Sequence, residues 1–312
     1  MAEINKKHNQ HTVWKHYLKP WTTSGKLYCL HNHSKKTHQS LNNLGVKRKF
    51  YTVDEWTDSD AEFIKEYIID RLENAVKPWA INYLVNYIKP FEKRKLCKQL
   101  FGEDSEKFKT SDIEVYNNAE NLHHNIENIG RPYLEKLYIS DTSFYSNEHD
   151  RRDFYAFVMV QYLRTRKIKE RLIEGITSEG YPQLKPITPN IANTWPIATI
   201  LLAMNSAHNL TYNVDTHLQL IHNNSNIPFI TSDQPTINLK SKNGNLDDVI
   251  DELELYYPIT PNIAIIISEG NKSLHPNQLT EDAVQNLNDA IASASHMQVY
   301  SNKEHILDNY IT

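Results

Sequence analysis

Glycine is scarce in this chain, eight residues in 312, and cysteine scarcer, at two. The few glycines form no Gly-x-x-x-x-Gly-Lys-Ser/Thr loop, no Gly-x-Gly-x-x-Gly and no Gly-x-Ser-x-Gly. Phosphate-cradling loops, dinucleotide turns and nucleophile elbows therefore lack their geometry. Cys29 and Cys97 stand alone, without the Cys-x-x-Cys spacing of a structural zinc site, and are expected to be free thiols. His-Glu-x-x-His is missing as well, and His31, His33 and His38 read as surface histidines.

Long apolar runs are also lacking. The longest, Ile197 to Met204, falls well short of the roughly 18 residues that span a bilayer. The start of the chain is polar, with no apolar segment for secretion, so a cytoplasmic protein with no membrane association is expected. There is no excess of positive charge: 34 Lys and Arg stand against 38 Asp and Glu, a net charge of -4. That argues against a dedicated binder of long nucleic acid duplexes. The basic runs Lys47-Arg48-Lys49 and Lys93-Arg94-Lys95 read as solvated faces.

What is present is ordinary for a folded protein, 39% hydrophobic and 23% charged. Helical spacing dominates the middle of the chain. A helix is expected from Asp58, capped by Asp58 or Ser59, and another from Pro78 to Pro90. A third should span Phe91 to Leu100, and one through Leu122 to Leu137 should kink or break at Gly130 and Pro132. The strongest pattern runs unbroken from Asp150 to Glu174, and Pro189 to His208 is a buried helix. A period of two then takes over around Leu218 and Leu220, at Ile227 to Thr231, at Leu253 to Ile259 and at Ile263 to Ile267. A helix from Thr280 to Ser293 and a strand from His296 to Tyr300 follow. A short strand is expected at 26–31 and a polar loop from His31 to Asn43. The whole is an α+β architecture in one intertwined domain, 1–312. Its helical part is about 58–208, packed with an antiparallel sheet at about 212–300 and the strand near 26–31.

Several polar residues sit where the pattern asks for apolar ones. Gln161 and Thr165 fall on the apolar stripe of the Asp150 helix, with Arg164 beside them. Buried there, they need polar partners, either a site or a satisfied internal network. Asp233 leaves a buried-type strand just before Gln234-Pro235, as a functional acid or as an Asx turn. Glu127 lies one helical turn after His123 and His124, close enough for an acid–base pair. Trp14, Tyr17 and Trp21 should anchor the N-terminal segment to the body, which leaves His11 as the member without a packing reason.

Four ordered segments resemble a bacterial family known only as domain of unknown function 4238. They are Gln10 to Trp21, Gln161 to Arg166, Phe229 to Pro235 and Tyr257 to Pro261. The first resembles a His-His-x-x-Pro-x-x-Tyr-Leu-x-x-Phe opening, with Gln10 and Trp14 replacing the first His and the Pro. The second resembles Gln-x-x-Arg-Thr-Pro, with Arg166 in place of the Pro. The resemblance implies no activity, but it selects His11, Gln161, Arg164 and Asp233, and less specifically Glu127.

The leading expectation is a hydrolase cleaving phosphodiester or similar bonds of RNA or a nucleotide, in bacterial anti-phage defence or as a toxin. In that reading Asp233 and Glu127 hold a divalent metal or act as base, and His11 is the general acid or base. Arg164 stabilises phosphate charge and Gln161 orients the site. The main rival is a non-catalytic sensing or interaction protein, with a protein partner, in which the same residues form a buried polar network. Hydrolysis of a small non-nucleotide substrate is a further rival. An open cleft at these residues would favour chemistry, and full burial with saturated hydrogen bonds would favour structure.

Overall fold

The computed structural model describes residues 5–177, 182–241, 252–270, 276 and 279–312. Its N-terminal part holds β1 (Asn9–His11), α1 (Lys15–Leu18), β2 (Lys26–His31), β3 (Lys35–Ser40) and β4 (Val46–Arg48). The helical part follows as α2 (Asp58–Phe63), α3 (Lys77–Phe101), α4 (Glu106–Tyr138), α5 (Glu148–Leu163), α6 (Arg166–Thr177) and α7 (Thr188–Tyr212). Strands then predominate, as β5 (Thr216–His222), β6 (Thr231–Ser232), β7 (Ile237–Asn238), β8 (Glu254–Thr260), β9 (Ile263–Glu269), α8 (Glu281–Ala294) and β10 (Gln298–Ser301). The architecture is α+β. Among the described residues no helix is long and apolar enough to cross a membrane.

Antiparallel pairing is distributed over more than one sheet. β5, β9, β8 and β7 form a sheet in that order, and β3, β2, β10 and β6 form another, while β1 pairs with β4. The second sheet joins the two ends of the chain, with Tyr300 opposite Cys29 on one side and Thr231 on the other. The segment from His31 to Asn43, expected to be loop, is therefore half strand. Asn32 and His33 turn the chain with positive φ, and the polar β3 pairs residue by residue with β2, His38 stacking on Tyr28. A strand at a sheet edge can be polar because its outer face is solvated.

Four helix boundaries differ from the sequence pattern, the first for a local reason and the others where neighbouring segments pack. α2 is capped by Thr57, one residue early, through a reciprocal box with Asp60. α3 passes through Pro90 as one helix; nearby, Asn118 of α4 donates to the Tyr87 carbonyl. α4 passes through Gly130 and Pro132 without a break. Gly130 serves packing, since a Cβ there would lie 2.2 Å from the Phe157 ring of α5. The stretch from Asp150 to Glu174, by contrast, is split into α5 and α6 at Arg164 and Thr165. Gln234 supplies the reason: its amide donates to the Tyr162 carbonyl, left free by the end of α5, and accepts from the Thr165 hydroxyl.

One core gathers the sheets, α5, the last turns of α4 and the N-terminal anchor, and another fills the space between α2, α3, α4 and α7. Trp79, Tyr83 and Leu122 touch both. Residues Phe154 through Gln161 of α5 are all buried, so this helix is enclosed on every side rather than along one stripe. Trp14, Tyr17 and Trp21 are buried as anchors, each contributing on the order of 2 kcal/mol. The Tyr17 hydroxyl donates to the Pro258 carbonyl at 2.6 Å and lies 2.7 Å from the Thr231 hydroxyl.

Candidate functional site

The end of α5 projects Gln161 and Arg164 against the middle of α4. Both are 1% exposed. The Arg164 Nη2 atom lies 2.7 Å from a Glu127 carboxylate oxygen and donates to Gln161 Oε1 at 2.8 Å. A buried ion pair of this kind persists only if most of its polar atoms are served. Around it stand residues from β1, the segment after β4, and α4. β1 brings His11, whose carbonyl receives the Tyr51 hydroxyl at 3.5 Å, and Gln10 holds the Tyr51 backbone N–H at 2.6 Å. Tyr51 in turn stacks on His123, ring centroids 4.2 Å apart.

The electrostatics divide the groups into distinct states. Burial pulls the Arg164 guanidinium toward losing its proton, but Tyr51, Glu127 and Glu120 together outweigh it and hold the charge. Burial pushes Glu120 up to about 7, with the neighbouring Glu127 adding to the effect and Arg164 opposing it. His11 is held below its ordinary value, first by burial, and His123 well below, again by burial and then by Arg164. Both are therefore neutral near pH 7. His124, exposed, is raised by Glu127, 3.8 Å away. The cluster thus combines a fixed cation, an acid that titrates near neutrality and two neutral imidazoles.

Its hydrogen bonding is incomplete. Arg164 Nε and Nη1, Gln161 Nε2, His11 Nε2 and Glu120 Oε2 are buried atoms without a hydrogen-bond partner among the described residues. Buried polar atoms are normally paired, so five together mark a place that a polar ligand or water can serve.

The sequence-selected residues do not all meet here. His11, Glu127, Gln161 and Arg164 do. Asp233 has other partners: its carboxylate accepts the backbone N–H groups of His296 and Met297, both at 2.8 Å, and of Gln298 at 3.2 Å. It fastens β6 to the start of β10, and burial raises it despite those three donors. Glu127 and Asp233 thus have separate partners, and the metal-holding role expected of the pair has no geometry to support it. Among the described residues no three His, Cys, Asp or Glu side chains are grouped so as to hold a metal ion. The rest of the Asp233 segment is likewise a fastener: Thr231 meets Tyr17, and Gln234 ends α5.

Glu120, His123 and Tyr51 complete the cluster. Glu120, His123 and Glu127 follow helical spacing on one face of α4, a signal that could have brought in Glu120. Tyr51 lies outside any periodic segment and gave none.

Comparison with known proteins adds a family and no activity. No curated protein and no solved structure matches the chain. Residues 9–305 of the 312 match the family described as protein of unknown function (DUF4238), and the chain belongs to that family.

Proposed function

We propose that the cluster around Arg164 is the acid–base centre of a hydrolase acting on a phosphodiester or similar anion of RNA or a nucleotide. The observation that carries this reading is the set of unpartnered buried atoms: two donors on Arg164, one on Gln161, His11 Nε2 and Glu120 Oε2. A permanently charged guanidinium with free donors suits the non-bridging oxygens of a phosphate. Glu120, titrating near 7, is suited to move a proton at neutral pH, as a general acid or base should. His11, kept neutral, can accept one. Glu127 holds Arg164 in place and Gln161 orients it. The cellular setting proposed is bacterial anti-phage defence or a toxin.

The test is hydrolysis of a generic RNA and of bis(4-nitrophenyl) phosphate by wild type and Glu120→Gln. Loss of about two orders of magnitude in rate with an unchanged fold supports the reading. Equal rates in the two proteins, or no hydrolysis by wild type, overturn it, and growth and phage-protection assays test the setting.

One observation favours the rival reading of a non-catalytic sensing or interaction protein. Arg164 is 1% exposed and Glu127 is buried with it, as in an internal network that fixes α4 against α5. That reading expects Arg164→Lys to lower stability while any biological activity follows folded protein alone.

A further inference from the structure

Across the α5–α6 break from Arg164 lies a cleft of about 510 Å³ between α6, β7 and α8. Its volume is within the range of small-molecule sites. The β7 side is apolar, from Ile237 and Leu239, and Ile168 adds apolar surface on α6. The α6 side carries Lys167 and Arg171, one helical turn apart, and among the described residues no carboxylate lines the cleft.

Two like charges at this spacing on one helix repel each other and need a reason. Lys167 Nζ donates to the Ser293 carbonyl at 2.9 Å and the Ser295 carbonyl at 3.2 Å, at the end of α8, which leaves one of its three N–H groups. Arg171 has no hydrogen-bond or ion-pair partner among the described residues, unlike Arg166, which pairs with Glu170 on the same helix. The nearby acid whose field reaches Lys167, Asp233, is already engaged by three backbone N–H groups. Among the described residues the cleft therefore presents an unpartnered guanidinium and a partly free ammonium beside an apolar wall, with the Ser293 side chain as a further polar group.

We propose that this cleft is a second binding site, distinct from the Arg164 cluster, for a small organic phosphate of mononucleotide size. Arg171 takes the phosphate in a forked contact, Lys167 adds charge, and the apolar wall receives the uncharged body of the ligand. Gln234 lines this cleft and also binds Thr165, so the site shares the fastener that ends α5.

The experiment is isothermal titration of the full chain with adenosine 5′-monophosphate, with inorganic phosphate and adenosine alone as controls. Wild type should bind the monophosphate, inorganic phosphate more weakly, and adenosine not measurably. Arg171→Gln, which removes no hydrogen bond or ion pair among the described residues and should melt as wild type does, should bind at least about tenfold more weakly. Glu120→Gln should bind unchanged, because it alters only the hydrolytic cluster. The proposal is overturned if wild type does not bind the monophosphate, if Arg171→Gln binds equally, or if adenosine binds as well as its phosphate. A change of binding in Glu120→Gln, weaker or tighter, also overturns it, by placing the ligand at the Arg164 cluster.

Discussion

Replacing Glu120 by Gln should change the pH dependence of folding in a direction that its surroundings fix. Burial and the neighbouring Glu127 move this carboxyl from 4.5 up to about 7. Between those values the folded protein keeps a proton that the unfolded chain releases, so stability falls as pH rises through the window. The full shift corresponds to at most about 3 kcal/mol, and residual solvent access reduces it to roughly 1–3 kcal/mol. Gln cannot ionise and is nearly isosteric, so the variant escapes this loss. Wild type alone would not reveal the effect, because His11 and His123 act in the opposite sense. Their depressed values contribute stability that is present above the ordinary histidine range and lost as pH falls. Comparing the two proteins at each pH cancels those terms. Denaturant unfolding at about pH 5 and about pH 8.5 should show the variant gaining roughly 1–3 kcal/mol on wild type between the two conditions. A difference that stays constant with pH, or reverses, refutes the electrostatic account of the cluster.

Three further outcomes follow from single contacts. Gly130→Ala should lose about 2 kcal/mol or more by thermal or denaturant unfolding, because its Cβ enters the Phe157 ring; Phe157→Leu in the same chain should recover part of that loss. Asp233→Asn should lower the melting temperature, by about 2–4 kcal/mol of stability, since an amide nitrogen cannot accept the backbone N–H groups held by the carboxylate; an unchanged melting curve would contradict the fastener role. Arg164→Gln should cost roughly 3–5 kcal/mol, leaving the buried Glu127 with only the exposed His124, 3.8 Å away, as a cationic partner, and the double variant with Glu127→Gln should cost less than the sum of the singles, as a double-mutant cycle would measure.

Local periodicity carried most of the architecture. The α+β order, the long helices and the β8 and β9 strand segments follow from apolar spacings of 3.6 and 2, which depend only on how side chains project from a helix or a strand. Gln161 and Arg164 were legible for the same reason, as polar groups on an apolar stripe whose burial demands partners, whereas Glu127 was legible only from its spacing to His123 and His124 and His11 as the residue without a packing reason beside the aromatic anchors. What the sequence could not decide was which partners. Asp233 in isolation is equally an acid for chemistry and an acceptor for backbone N–H groups, and the return of β10 beside β6 settles its contacts in favour of the backbone. Pro90, Gly130 and Pro132 looked like helix breaks because a lone helix is weakened there, yet α3 and α4 run through them against neighbouring helices. The break did occur at Arg164 and Thr165, where local propensity favoured continuation. There a glutamine nearly seventy residues later in the chain takes up the end of the helix. Propensity is a matter of a kcal/mol or less per residue, whereas serving a buried carbonyl and pairing a buried guanidinium with a carboxylate is worth more, so tertiary contacts placed the break and with it the candidate site.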